Sequence, residues 1–162
     1  VALYTRDRRV LLQQRSKAIV LNPGKWELGI GGVVGAGESI YEAAFREVEE
    51  EIGATARNLT AVTRWKYNHH LPSLDMHVRV FLYSFIAEID PAHIHVQKGE
   101  VDSVRLLPLD TAHDAIFNHK GLPHVQLVPY EGYYKQLLSA IEQELKNRRD
   151  FPALDTIIVD TK

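Results

Sequence analysis

The segment GGVVGAGESIYEAAFREVEEEIGA, Gly31 to Ala54, decides the reading of this chain. Gly31–Gly37 is a glycine-rich loop. Ser39 stands where a helix is capped, and Glu42 three residues on completes a capping box. Nothing then breaks a helix until Gly53, a residue suited to a C-terminal stop. On that helix Glu47, Glu50 and Glu51 recur at i, i+3 and i+4, which puts three carboxylates on one face. Like charges so close destabilise a helix unless something offsets them. A hard divalent cation with oxygen ligands, Mg²⁺ or Mn²⁺, is the economical candidate. Ile40, Ala44 and Val48 form a stripe on the other side that can pack on a sheet. Arg46 lies four residues from both Glu42 and Glu50 and is placed to orient a carboxylate. A bare acidic run is more often a solvated helix face. Here the run comes with Glu38, Arg46, the upstream glycines and Gly53 in fixed register.

Outward from this segment, the 162 residues make one domain with a substantial core. We expect the domain to span residues 1–150, with 151–162 as a C-terminal tail. A hydrophobic content of 45% with 25% charged residues is ordinary for a globular protein. The net charge of −2 exerts no general pull toward nucleic acid or membrane. The absence of cysteine excludes disulfides, thiolate metal sites and a cysteine nucleophile, and fits a reducing compartment. No apolar run approaches the ~20 residues that span a bilayer, and no signal-peptide pattern is present. The expected location is the cytoplasm.

Taken in order, Val1–Thr5 and Val10–Arg15 read as a hairpin. Arg15 is either solvated strand-end charge or a phosphate contact. Asn22-Pro23-Gly24 is a strong turn signal, followed by Lys25 and by Trp26, which either caps the core or stacks a base. Asn58–Tyr67 and Met76–Ile89 read as strands, the second central, joined by a polar loop at Asn68–Pro72. His69 and His70 are adjacent and make a poor chelating pair. Arg64 is a phosphate-binding candidate, and Arg79 is a solvent-face residue or a phosphate contact. Asp90–Glu100 is a loop, Ser103–Leu107 a short strand and Thr111–His119 a helix. A second helix opens at Pro129 or Tyr130 and runs to about Arg148, with Tyr134, Leu137, Leu138, Ile141 and Leu145 at core spacing. Thr156–Val159 is β-prone and suits a sheet edge or a partner, which favours a homodimer.

The central segment resembles the Nudix hydrolase signature. Gly32 begins it, Glu38 follows VVGAG, and Arg46-Glu47 follow SIYEAAF. Val48, Glu49, Glu50, Glu51, Ile52 and Gly53 then fall in place, with Ala54 where a larger aliphatic is usual. The PGKW segment, Pro23–Trp26, also matches the family, in which such a segment precedes a glycine strand, and this implies a strand at Leu28–Val34. The resemblance implies an α/β (α+β) fold, a mixed β-sheet sandwiched between helices. It implies a metal-dependent hydrolase acting on a small-molecule diphosphate, with Mg²⁺ (or Mn²⁺) on Glu47, Glu50, Glu51 and the Gly32 carbonyl. Glu50 or the loop residue Glu100 is the expected general base, with Arg46 and Glu38 in support. Arg15, Lys25, Trp26, Arg64 and Arg79 are the expected substrate contacts. In look the chain is closest to the branch related to isopentenyl diphosphate isomerases, yet it lacks the isomerase cysteine. The rivals are a non-catalytic Nudix-fold binding module, which usually loses the acids retained here, and an isomerase-like enzyme. A structural domain whose acidic face meets a basic partner is a further rival. No strong basic patch in the sequence supports an RNA substrate.

Overall fold

The computed structural model describes residues 1–71, 75–118, 120, 131–147 and 157–160. Seven strands form one mixed sheet: β1 (Ala2–Tyr4), β2 (Arg9–Arg15), β3 (Trp26–Leu28), β4 (Arg57–Leu71), β5 (Met76–Glu88), β6 (Val101–Pro108) and β7 (Ile157–Asp160). The order across the sheet is β4-β5-β1-β2-β6-β7, and β3 pairs with β2. All pairings are antiparallel except β1 with β5, where Ala2 faces Ile86. Three helices complete the described fold: α1 (Ile40–Ile52), α2 (Leu109–Phe117) and α3 (Glu131–Lys146). Among the described residues no helix is long and apolar enough to cross a membrane.

The two-residue period of the strands sorts their apolar side chains into two cores. Ala2, Tyr4, Val10, Leu12, Ile86 and Leu107 join Ile116, Leu137, Leu138 and Ile141 of α2 and α3. Their neighbours Leu3, Leu11, Ala87 and Leu106 turn the other way, toward Val48 and Ile52 of α1. The sheet therefore lies between α1 on one face and α2 with α3 on the other. Tyr134, Leu137, Leu138, Ile141 and Leu145 are all buried, as their spacing requires.

Several boundaries differ from the sequence reading. The glycine strand is shorter than Leu28–Val34: the ladder ends at Leu28, opposite Leu12. β1 takes over the same edge of β2 farther along, at Tyr4–Val10, so the two segments must separate. Ile30 donates to the Val1 carbonyl at 2.9 Å, and the chain beyond it leaves the sheet. Asn68–Leu71, expected as loop, continues β4, because His70 pairs with His77 and Leu71 with Met76. Pro72 lies outside the described residues, as do His119, Pro129, Tyr130 and Arg148. β5 has β1 beside it only at Ile86–Glu88. Its first part pairs with β4 alone, as a two-stranded arm. Within the chain, β7 pairs along β6, with Val159 opposite Val104.

Candidate active site

Helix α1 is built as its sequence dictates. The Ser39 hydroxyl accepts from the Glu42 N–H at 3.2 Å, and the Glu42 carboxylate accepts from the Ser39 N–H at 2.8 Å. Gly53 closes the helix in the left-handed conformation, φ 61°, donating to the Glu49 carbonyl at 2.9 Å. The next free carbonyls are taken by the 90–100 loop. His95 N–H donates to Ile52 at 3.0 Å and Gln97 N–H to Glu51 at 2.7 Å. The His95 ring lies over Gly53, where a Cβ would stand 1.8 Å from Cε1. This loop thereby carries Glu100 to the C-terminal end of the acidic helix.

Arg46 is the hub of the helix surface. Its Nε and Nη2 donate to the two oxygens of Glu38 at 2.8 and 3.0 Å, a bidentate pair. Nη1 reaches Glu47 at 2.8 Å and Glu50 at 3.0 Å, and Nη2 also reaches the Val33 carbonyl at 3.1 Å. The guanidinium, helped by the Gly35 N–H, holds the Glu38 carboxyl down at about 2. Its own pKa is raised by the Glu38, Glu47 and Glu50 carboxylates. Glu47 lies against the glycine loop. A Cβ on Gly32 would stand 2.0 Å from the Glu47 carboxyl carbon, so only glycine leaves room for this carboxylate.

Glu51 turns inward and is 4% exposed. Burial first, then the charges of Glu47, Glu27 and Glu100, push its carboxyl up to about 8, against a lowering contact from Gln13. Glu27, on β3, was not among the residues singled out from the sequence. It accepts from Gln13 Nε2 at 2.8 Å and from Arg15 Nη1 at 2.7 Å. Gln13 and Glu27 are opposite one another in the β2–β3 pairing, on the face toward α1. The alternation of Leu12 and Leu28 into the core was the available signal, since it sends Gln13 and Glu27 to the opposite face.

The remaining residues divide. Arg15 is held by Glu27 and by the Leu21 carbonyl at 2.9 Å. Trp26 is buried at 4% exposure with the Arg105 guanidinium 4.6 Å from its ring centroid, which makes it a core residue in this arrangement. Lys25 is half-buried beside Arg15, whose N–H donates to its carbonyl at 2.9 Å. Glu100 is exposed, and its carbonyl accepts from Ser16 N–H at 2.8 Å. Arg64 and Arg79 are exposed on the β4–β5 arm.

Among the described residues, no three acidic or imidazole side chains already converge on a point where they could hold a metal ion. Glu47 and Glu50 share the Arg46 guanidinium, and Glu51 faces the sheet. The donor chemistry nonetheless fits a hard cation: the groups are carboxylates with the Gly32 backbone beside them. Burial, with the charges of Glu47, Glu27 and Glu100 added to it, raises Glu51 there, and among the described residues the buried Gln13 Oε1 has no hydrogen-bond partner.

A family model described as NUDIX domain matches residues 1–126. Nudix hydrolase 6 of Arabidopsis thaliana is 27% identical over 147 residues, 83% of this chain and 50% of that protein. The NAD-capped RNA hydrolase NudC of Pseudomonas aeruginosa is 30% identical over 112 residues, 68% of this chain and 35% of that protein. The chain spans only 32% to 59% of the first curated relatives it matches. A crystal structure of a MutT Nudix hydrolase from Burkholderia pseudomallei superposes with a TM-score of 0.60 at 22% identity, covering 84% of this chain and 94% of that one. At that identity the likeness concerns the fold.

Proposed function

The chain belongs to the Nudix family, and from that premise we propose that it is a metal-dependent hydrolase cleaving a diphosphate linkage in a nucleoside diphosphate-linked or related organic diphosphate. The observation that carries this reading is the Arg46 hub, which holds Glu38, Glu47 and Glu50 in one network beside the glycine loop. The hydrolase names of the curated relatives support the same reaction class.

In this reading Glu47, Glu50, Glu51 and the Gly32 carbonyl hold Mg²⁺ or Mn²⁺. Bound there, the cation supplies neutralisation of the diphosphate and a lowered pKa for water. Arg46 fixes the carboxylates, so that little reorganisation is needed as charge develops. Glu38, held ionised, anchors Arg46 from the loop side. Glu50, 52% exposed on the outer face, or Glu100, presented by the docked loop, takes the proton from the attacking water. Lys25 lies at the same end of the β2–β3 pair and is free to meet a phosphoryl oxygen. Arg15 joins it only after exchanging its contact with Glu27.

The test is release of phosphate or nucleotide from a panel of nucleotide and non-nucleotide diphosphates with Mg²⁺ or Mn²⁺. Glu50→Gln and Glu51→Gln serve as controls. Metal-dependent turnover abolished in both variants is the expected result. Turnover that survives metal chelation, or that both variants retain, overturns the assignment.

A further inference from the structure

The β4–β5 arm carries an exposed surface that includes Arg64 and Arg79, expected from the sequence as substrate contacts. Phe85 contacts Tyr41 of α1, with ring centroids 5.2 Å apart, which fixes the odd-numbered residues of β5 on the α1 side. The pairing then sets Arg64 opposite Tyr83, Lys66 opposite Phe81 and Asn68 opposite Arg79 on that same face. Lys66 Nζ lies 5.7 Å from the Phe81 ring centroid, and His70 and His77 stack at 4.2 Å farther out. Phe81 is 53% exposed, Tyr83 37% and Tyr41 48%. Among the described residues none of Arg64, Lys66 and Arg79 is ion-paired.

This composition is opposite in sign to the rest of the molecule. From Arg57 to Glu88 the chain carries Arg57, Arg64, Lys66 and Arg79 against Asp75 and Glu88, whereas its net charge is −2. No basic run marks the surface in the sequence, because its cations come from two strands at alternate positions. Pairing collects them on one face of the arm.

The cations are spread along the arm rather than gathered at one point, an arrangement for a polyanion and not for a single phosphate. The exposed rings between them add flat faces on which unpaired bases can stack. We propose that the α1-side face of this arm binds single-stranded nucleic acid, with Arg64, Lys66 and Arg79 along the phosphates and Phe81 and Tyr83 under the bases. The proposal goes beyond the hydrolase reading and stands without it. If both hold, the bound strand lies beside α1, on the Tyr41 flank of the helix.

The test is fluorescence anisotropy of the whole chain with labelled oligouridine and oligothymidine of about a dozen nucleotides. A duplex of the same length is run beside them. Saturable single-strand binding is expected, weaker for the duplex. The RNA and DNA arms report which sugar is preferred. Phe81→Ala is expected to weaken binding roughly fivefold or more. Lys66→Gln is expected to flatten the slope of log K against log salt by about 0.7. Absence of binding, or binding unchanged in both variants, overturns the proposal. So does a Phe81→Ala protein that passes from dimer to monomer in sedimentation with its oligonucleotide affinity intact, for the face is then a homodimer contact. Circular dichroism checks that both variants fold. Turnover of a small diphosphate, measured in parallel, reports on the hydrolase reading separately, because neither side chain belongs to that site.

Discussion

Arg46 shows how one residue organises the chemistry. Its planar fork engages both oxygens of Glu38 while the remaining nitrogen serves Glu47 and Glu50, and lysine cannot reproduce that geometry. Arg46→Lys is expected to lower kcat by about 10- to 100-fold, the usual effect of losing a supporting partner, with little change in thermal midpoint. Glu51 makes a second prediction, in pH. Its folded-state pKa of about 8 exceeds the ordinary 4.5, so between those values the folded protein retains a proton that the unfolded chain has released. Stability of the metal-free protein therefore falls as pH rises from about 4.5 to 8, on the order of 1.4 kcal/mol per pH unit. Glu51→Gln is expected to remove this fall in denaturant titrations across that range. Adding Mg²⁺ at pH 8 is expected to raise the melting temperature of the native chain and not of the variant. In the sequence, the register of Glu38, Arg46, Glu47 and Glu50 was legible because helix periodicity is local. The inward turn of Glu51 was not, since it depends on which face of the sheet lies beneath the helix.

Helix α1 is where local sequence and observed element agree best, with cap, capping box and terminal glycine all in place. Ser39→Ala removes the capping hydroxyl and is expected to destabilise the fold by about 1 kcal/mol, measured by chemical denaturation. The glycine segment agreed less well. The family resemblance implies a strand there, yet β1 and β3 compete for the same edge of β2, and the chain past Leu28 is displaced. The extension of β4 through Leu71 was hidden for the opposite reason: polar residues at Asn68–His70 suggest loop, but pairing with β5 requires only backbone.

At the scale of the molecule, the sheet divides two cores that answer differently to mutation. Leu137 is fully buried among α2, α3 and one face of the sheet. Leu137→Ala is expected to cost about 2–5 kcal/mol of stability while leaving kcat at low temperature close to native. Val48 is equally buried but sits on α1 between the acids, so Val48→Ala is expected to lower both. The layered class was accessible mainly through the family resemblance, with which the order of elements is compatible. The parallel pairing of β1 with β5 was not, because nothing local specifies which distant strand fills an open edge.

The seat of the 90–100 loop has a further consequence, in the language of isotope exchange. The amide protons of His95 and Gln97 are engaged by α1, not by their own segment. They can exchange with solvent only when the loop lifts from the helix end and the imidazole leaves Gly53. Their deuterium uptake is therefore a clock for the excursion that carries Glu100 away from the acidic helix. If turnover needs the loop seated, a side chain at Gly53 that prises it loose should speed the clock and slow the enzyme together.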